Sequence, residues 1–131
     1  MEIVRRIYEA SGDAETVLAL YDPDIEWDMT RHPMSQMLQQ KALVHGHAEL
    51  RGWFHEWYAE FEDFEHHLVE LIDAGDDHVV SIGTDTGRGR ASGVEVNRRI
   101  AGVWRLRSGK VTQVVWFDRP EQALEAAGLS E

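Results

Sequence analysis

The chain has 131 residues, which suits one domain and fits two poorly. It contains no cysteine, which excludes disulfides and thiolate metal sites, and its 43% hydrophobic content with five tryptophans argues against disorder. The net charge of −11 disfavours nucleic acid and anionic membrane as partners. We expect one domain over residues 1–131 in the cytoplasm, since MEIVRRIYEA lacks a signal-peptide pattern and no stretch reaches the ~20 apolar residues that a bilayer requires.

The N-terminal third predicts two helices and a short strand. The first helix follows from apolar residues at helical spacing, which are Ile3, Val4, Ile7 and Tyr8. Asp13 is placed to cap a second helix, which Pro23 stops. Residues 25–28 alternate like a strand, and residues 29–46 show no period, so a mobile connection is expected there.

The remainder predicts one long helix and a β-rich region. The helix, over about residues 47–63, carries a broad aromatic stripe made of Leu50, Trp53, Phe54, Trp57, Tyr58, Phe61 and Phe64. Strands are predicted at about 65–73, 78–90, 94–107 and 110–118, and a last short helix runs from Pro120 to Gly128. Consecutive strands joined by short turns pair as an antiparallel meander, so the chain is predicted to be α+β.

A family resemblance supports this order. The segments LALYDPDIEWD, HGHAELRGWFHEWYAEFEDF, ELIDAGDDHVV, GRGRASG and VWRLRSGKVTQVVWFDRPEQALEAAGL resemble the SnoaL-like branch of the nuclear-transport-factor-2-like superfamily. The resemblance covers nearly the whole chain. It implies a cone in which N-terminal helices and one long helix pack on a curved antiparallel sheet around a pocket. It also implies frequent homodimers, and members that range from isomerases, cyclases and hydrolases to noncatalytic binders.

The last hairpin allows the two faces of the sheet to be predicted. A three-residue loop at 107–109 gives the pairs Trp104 with Thr112, Gly102 with Val114, Ile100 with Trp116, and Arg98 with Asp118. We prefer it to a two-residue loop, which would separate Trp104 from Trp116, because both indoles then meet the aromatic helix. The opposite face is apolar and suits a homodimer interface; it carries Ala101, Val103, Val115 and Phe117.

Asp28 is the first candidate for catalysis. It ends the first predicted strand and matches the position at which the related ketosteroid isomerases keep their general-base aspartate. Burial beside tryptophans would favour its neutral form and suit it to proton transfer, whereas the alternative is a turn or capping role before Thr30. The rest of the isomerase set does not map completely: the helix-1 tyrosine position holds Arg5, although Tyr8 is nearby, and the oxyanion-hole aspartate position holds Gly102. The aspartate that epoxide hydrolases keep on the last strand corresponds to Val115, so both activities are disfavoured.

The other charged candidates have simpler alternatives. Asp118 is a second candidate catalytic carboxylate, although a salt bridge to Arg98 at the rim is favoured. Arg88 and Arg90 share a face, and either hold an anionic ligand group or point to solvent. His47 is expected at the start of the long helix. No metal site is predicted from the histidines, because adjacent residues on a strand point in opposite directions, and no cofactor is predicted.

The sequence leaves several functions open. The residues predicted to contact the ligand are Trp27, His47, Trp53, Trp57, Arg88, Arg90, Arg98, Ile100, Trp104 and Trp116. We favour a cofactor-independent isomerase, cyclase or hydrolase that acts by acid–base chemistry on a small apolar or partly polar molecule. The first alternative is a noncatalytic ligand-binding or dimeric accessory protein. A pure interaction module, with the cone filled by side chains, is the second.

Overall fold

The fold is described from a computed structural model over residues 2–10, 13–32, 42–75 and 77–129. The N-terminal half contains α1 (Glu2–Glu9), α2 (Ala14–Ala19), β1 (Tyr21–Asp28), β2 (Leu43–His45) and α3 (Gly46–Glu60). The C-terminal half contains β3 (Phe61–Gly75), β4 (His78–Gly89), β5 (Glu95–Arg107), β6 (Lys110–Phe117) and α4 (Pro120–Ala126). Over these ranges, no helix is long and apolar enough to cross a bilayer.

The strands form one curved, open sheet in the order β2-β1-β6-β5-β4-β3. Strands β3 to β6 pair consecutively and antiparallel, which confirms the predicted meander and the α+β class. Strand β1 lies parallel to β6 and antiparallel to β2, and it is longer than the predicted 25–28 segment. Residues 33–41, within the connection predicted as mobile, lie outside the described residues.

Helix α3 ends earlier than its aromatic stripe. Phe61 has an extended backbone and Asp63 a left-handed one, with φ of 52°, so the last two aromatic residues of the stripe belong to β3. An irregularity in the pairing between Glu62 and Glu65 inserts one extra residue into β3. Phe61 and Phe64 therefore both reach the inner face, with ring centroids 5.3 Å apart.

The predicted three-residue loop of the last hairpin is wrong. Arg107 pairs with Lys110 across a two-residue turn, Ser108-Gly109, in which both residues have positive φ. This turn follows the right-handed twist of the strands. A bulge at Thr112 then adds one residue to β6, so Trp104 and Trp116 return to the same face, as predicted.

The bulge also changes the partners along β5 and β6. Gly102, rather than Ile100, lies opposite Trp116, and Arg98 lies opposite Asp85 of β4. The predicted pair of Arg98 with Asp118 therefore does not form, since β6 ends at Phe117.

Two hydrophobic clusters lie on opposite faces of the sheet. The inner cluster joins α1, α2 and α3 to the sheet and contains all five tryptophans. The outer cluster is centred on Val80, Ala101 and Phe117, which α4 covers through Ala123. Helix α4 thus occupies part of the face predicted to form a homodimer, and the homodimer stays a prediction.

Gly83 on β4 is required by a close approach of β3. A Cβ atom added there would lie 2.5 Å from the His67 carbonyl oxygen and 3.2 Å from the His66 ring. We expect Gly83→Ala to lower the free energy of unfolding by about 1–3 kcal/mol, because a backbone carbonyl cannot move aside cheaply.

Gly52 provides the matched control for this substitution. It is exposed on α3, and apart from its chain neighbours and the backbone of its own helix, no atom of the described residues lies within 4 Å of the position that its Cβ would occupy. Gly52→Ala should therefore raise the unfolding free energy by up to about 1 kcal/mol. Urea unfolding followed by circular dichroism measures both variants. Equal stability of the two would contradict the steric explanation.

Candidate functional site

A cavity of about 660 Å³ lies between helices α1 to α3 and the inner face of the sheet. Its outer part is bounded by exposed residues of α2 and α3, including Ala14, Arg51 and His55. Its buried end reaches Asp85 and Trp104. The volume is that of a typical small-molecule site.

Aromatic rings form most of the cavity wall. Trp53 and Trp57, one turn apart on α3, stack with ring centroids 4.9 Å apart and planes at 15°. Trp27 lies 5.3 Å from both Trp53 and Trp116, which continues the wall from α3 to the sheet. Trp104 meets Trp116 edge-on at 5.6 Å. An apolar ligand would gain hydrophobic and ring contacts over this surface.

One hydrogen-bonded chain of polar residues interrupts the aromatic wall. The Asp85 carboxylate lies 2.5 Å from Nδ1 of His66, and Nε2 of His66 lies 2.8 Å from the Tyr8 hydroxyl. The Tyr8 hydroxyl lies 3.1 Å from the Ser81 hydroxyl, which accepts a hydrogen bond of 2.8 Å from the Trp104 indole. We call these five residues the polar network.

The sheet register positions the polar network. His66 and Asp85 are directly opposed on β3 and β4, and Ser81 lies on the same face of β4 because side chains alternate along a strand. Gly83 lies between Ser81 and Asp85 and leaves room for the imidazole. Helix α1 supplies Tyr8, whose ring stacks on His66 at 5.1 Å.

The same polar network can form with His66 either neutral or cationic. An ionised Asp85 only accepts, so Nδ1 of His66 carries a proton. With neutral His66, Tyr8 donates to Nε2; with cationic His66, Nε2 donates to Tyr8 and Tyr8 donates to Ser81. Both arrangements use the same heavy-atom positions, so a proton can enter or leave without a change of fold.

Tyr8 is a neutral donor rather than a base. Burial raises the pKa of Tyr8 well above its ordinary value, the hydrogen bond with Ser81 opposes this, and the charge of Asp85 adds to it. Burial likewise raises the pKa of Tyr21, and burial followed by the charge of Asp85 raises that of Tyr58. The phenols therefore keep their protons at neutral pH.

We expect Tyr8 and Tyr21 to ionise only when the protein unfolds. Above the ordinary tyrosine pKa of 10.0, the unfolded chain releases phenolic protons that the native state retains. The unfolded state then binds fewer protons, so stability is complete below that pH and falls as the pH rises above it. Absorbance at 295 nm, with circular dichroism, should show both transitions together. Ordinary ionisation of all three tyrosines in the folded protein would contradict the burial.

An ion pair lies at the outer part of the cavity. Arg51 of α3 donates from Nε and Nη2 to the Glu15 carboxylate of α2, at 2.9 and 3.1 Å. Both side chains are largely exposed, so solvent screens the pair and it contributes little to stability. It does join the two helices beside the cavity, of which Arg51 is a lining residue.

Comparison with known proteins places this geometry in a family. The family model for the SnoaL-like domain matches residues 4–114. The chain belongs to the SnoaL-like family. A search of curated protein sequences found no significant match.

Solved structures share the fold of this SnoaL-like domain. An NTF2-like protein from Burkholderia thailandensis has 28% identity and a TM-score of 0.78, covering 97% of this chain and 95% of that one. An NTF2-like protein of unknown function from Burkholderia pseudomallei has 22% identity and a TM-score of 0.79, with 95% and 94% covered. A putative SnoaL-like polyketide cyclase from Mesorhizobium loti has 21% identity and a TM-score of 0.70, with 88% and 96% covered.

Six of the predicted site residues line the cavity of the SnoaL-like domain. They are Trp27, Trp53, Trp57, Ile100, Trp104 and Trp116. Their aromatic and apolar surfaces meet as the sequence indicated, and their role in ligand binding stays a prediction.

The structure does not place Asp28 in the cavity. On β1, Trp27 lies opposite Val114 of the inner face, so Asp28 points to the other side of the sheet with Val115. Its carboxylate accepts hydrogen bonds from the backbone N–H and the hydroxyl of Thr30, at 2.8 and 2.6 Å. The turn alternative is therefore the observed arrangement, and the predicted position of Asp28 in the pocket is wrong.

The predicted arginines and His47 also lie away from the cavity wall. Arg88 and Arg90 are exposed on the outer side, 3.6 Å from Glu95 and 3.8 Å from Glu62 respectively. His47 begins α3 as predicted, but its Nε2 lies 3.0 Å from the Tyr21 carbonyl oxygen and so has a structural partner.

Arg98 and Asp118 form no ion pair with each other within the described ranges, but the charges of both affect the pKa of His32. His32 is buried, and burial followed by the charge of Arg98 lowers its pKa, whereas Asp85 and Asp118 oppose this. Neither Arg98 nor Asp118 lines the cavity. Within the described ranges, no group of three or more His, Asp or Glu side chains could hold a metal ion.

Sequence reasoning missed the polar network. Asp85 lies on a strand whose other face carries Val80 and Ile82, so alternation alone points its carboxylate to solvent. The sequence did contain one usable signal: Phe64 and His66 are two residues apart, so on a strand their side chains point to the same face. An inward Phe64 would have brought His66 into the pocket.

Proposed function

We propose that this protein binds a small, largely apolar molecule in the aromatic cavity and moves a proton on it with its own side chains. The observation that supports this best is the polar network, whose Tyr8, His66 and Asp85 all line that cavity. A titratable group held by a carboxylate at the end of an apolar pocket is the arrangement that general acid–base catalysis requires.

The proposed roles follow from the proton positions. The Tyr8 hydroxyl donates to an oxygen of the substrate on which negative charge develops, as a neutral phenol can. Cationic His66 replaces the proton that Tyr8 gives up and becomes neutral, water in the cavity accepts the proton that leaves the substrate carbon, and the reverse transfers restore both groups. Asp85 fixes the tautomer and orientation of His66. An isomerisation or cyclisation moves a proton within one molecule and returns the network to its starting state, so these reactions suit it best.

Deuterium exchange tests the proposal without knowledge of the natural substrate. Small cyclic ketones in D₂O report proton transfer next to the carbonyl group by NMR. We expect the wild-type protein to accelerate exchange, and Tyr8→Phe to slow it by about 10²–10³-fold, because an oxyanion donor is lost.

Tyr58→Phe is the matched control for Tyr8→Phe. It removes the hydroxyl of a cavity tyrosine that is 48% exposed and has no place in the polar network. Exchange by this variant should equal that of the wild type. A ketone that binds without accelerated exchange would contradict catalysis of this class.

A noncatalytic ligand-binding protein is the second candidate. It is favoured by the fact that Tyr8, His66 and Ser81 already satisfy one another, as they would in a structural network. In that case mass spectrometry should recover a bound molecule unchanged after long incubation.

We also propose a homodimer through the outer face of the sheet. Beside the part covered by α4, this face carries the partly buried apolar residues Ile72, Ile82, Val103 and Val115. Light scattering should give twice the mass of one chain, and Val103→Glu should shift it towards a monomer. A monomeric wild type would exclude this assembly.

A further inference from the structure

We infer that the cavity selects a cationic amine, with the ammonium group held by Asp85 and the aromatic rings beside it. The inference rests on the proposed function in taking this cavity as the ligand site, but it does not depend on proton transfer. Three features of the described residues support it: an incompletely used carboxylate, a wall of ring surfaces, and the charge around the cavity.

Asp85 provides the anionic group. It is 4% exposed, and among the described residues it is the only carboxylate that lines the cavity. Over the same part of the chain, its only side-chain hydrogen bond is with His66, at Oδ1, so Oδ2 is left for another donor. Arg98 lies opposite Asp85 on β5 but forms no ion pair with it within the described ranges. A ligand cation would be attracted by the charge of this carboxylate, with or without an N–H group, and an ammonium that carries N–H would also donate to Oδ2.

The aromatic wall offers ring surfaces rather than donors. The indole nitrogens of Trp27, Trp53 and Trp116 are fully buried and have no hydrogen-bond partner in the part of the chain that the structure describes. They are therefore not presented to a ligand, and what these side chains turn to the cavity is ring carbon. Ring faces carry negative potential and attract ammonium groups, most strongly when water is excluded.

The rings next to Asp85 are well placed for such a contact. His66, bonded to Asp85, stacks on Tyr8 and meets Trp116 edge-on at 5.7 Å. Tyr58 lines the same cavity, and the charge of Asp85 contributes to the raised pKa of Tyr58. Carboxylate and ring surfaces thus adjoin one another at this end.

The helices around the outer part of the cavity favour cations. The segment of α2 with its capping residue, together with α3, carries five carboxylates, which are Asp13, Glu15, Glu49, Glu56 and Glu60. Against them stands one guanidinium, Arg51, which Glu15 binds at two nitrogens. The whole chain has a net charge of −11. This field raises the local concentration of cations and lowers that of anions.

A trio of near-isosteric probes separates the ligand classes. Choline carries a trimethylammonium group, 3,3-dimethylbutan-1-ol replaces it with an uncharged tert-butyl group, and 3,3-dimethylbutanoate is an anion of similar shape. Tryptophan fluorescence and ligand-observed NMR measure binding. We expect choline to bind about tenfold more tightly than the alcohol, and the anion to bind least. Equal or tighter binding of the alcohol, or no binding of choline at millimolar concentration, would overturn the inference.

Asp85→Asn tests the assigned carboxylate, with Glu121→Gln on exposed α4 as the control for net charge. Asp85→Asn should remove the preference for choline, and Glu121→Gln should keep it; an unchanged preference in Asp85→Asn would overturn the assignment. If Asp85→Asn does not fold by circular dichroism, the probe comparison on the wild type still decides. Ketone exchange without a choline preference would overturn this inference alone, whereas a choline preference without exchange would overturn only the proposed catalysis.

Discussion

Trp104→Ala is expected to lower the free energy of unfolding by about 3–5 kcal/mol. Trp104 is 2% exposed, and its ring contacts those of Tyr8, Tyr21 and Trp116. Its removal would extend the existing cavity into the core and leave the Ser81 hydroxyl without its indole donor. Urea unfolding followed by circular dichroism should show a lower midpoint with an unchanged slope.

Two variants separate the contributions of Trp104. Trp104→Phe keeps a ring but loses the hydrogen bond to Ser81, so it should cost less than Trp104→Ala. Tyr58→Ala removes an aromatic side chain of the same cavity that is 48% exposed, and it should cost less than about 1 kcal/mol. A Trp104→Ala variant as stable as Tyr58→Ala would show that the cavity wall does not belong to the core.

His66→Leu is expected to cost about 3 kcal/mol, because it leaves the buried Asp85 carboxylate without its side-chain partner. The double variant with Asp85→Leu should recover much of this loss, since a buried polar pair replaced by apolar side chains is often neutral. Chemical unfolding of the wild type, both single variants and the double variant gives the coupling free energy.

His67→Leu is the matched control for the loss of a histidine. His67 is the next residue of β3, it is exposed, and its nearest ionic partner is Glu65 at 3.4 Å. Its loss should change stability by less than about 0.5 kcal/mol. Ketone exchange should disappear in both His66→Leu and the double variant, so restored stability without restored exchange separates structure from chemistry. If the double variant is no more stable than His66→Leu, the cost of His66→Leu does not come from a buried Asp85 carboxylate without a partner.

The fold could be predicted because its signals are local. The aromatic stripe of α3 repeats with helical period, and the strands after it are separated by glycine-containing turns. The helix boundary was predicted too late, since Phe61 and Phe64 continue the helical spacing while a bulge at Asp63 gives them the same inward direction on a strand. Period alone cannot distinguish these two solutions.

The candidate site was only half predictable, because bulges and pairing decide it. Trp104 and Trp116 were sorted correctly, although the predicted turn was wrong and the bulge at Thr112 compensated for it. Asp28 was placed by analogy of position, and the parallel pairing of β1 with β6 turns it to the other face. The contact between His66 and Asp85 joins residues 19 apart in the chain and requires the register of β3 on β4, which no local pattern supplies.

Helix α1 contributes Tyr8 to the site, so ligand binding is thermodynamically coupled to the docking of α1 on the rest of the domain. Eight residues are too few for a stable isolated helix, so α1 depends on its contacts through Val4, Ile7 and Tyr8. A ligand that contacts Tyr8 binds the docked form of α1 more tightly than the undocked form, so at saturation it should slow amide hydrogen exchange in α1 by the ratio of its two dissociation constants. Amide exchange in α1 would then report whether the cavity is occupied.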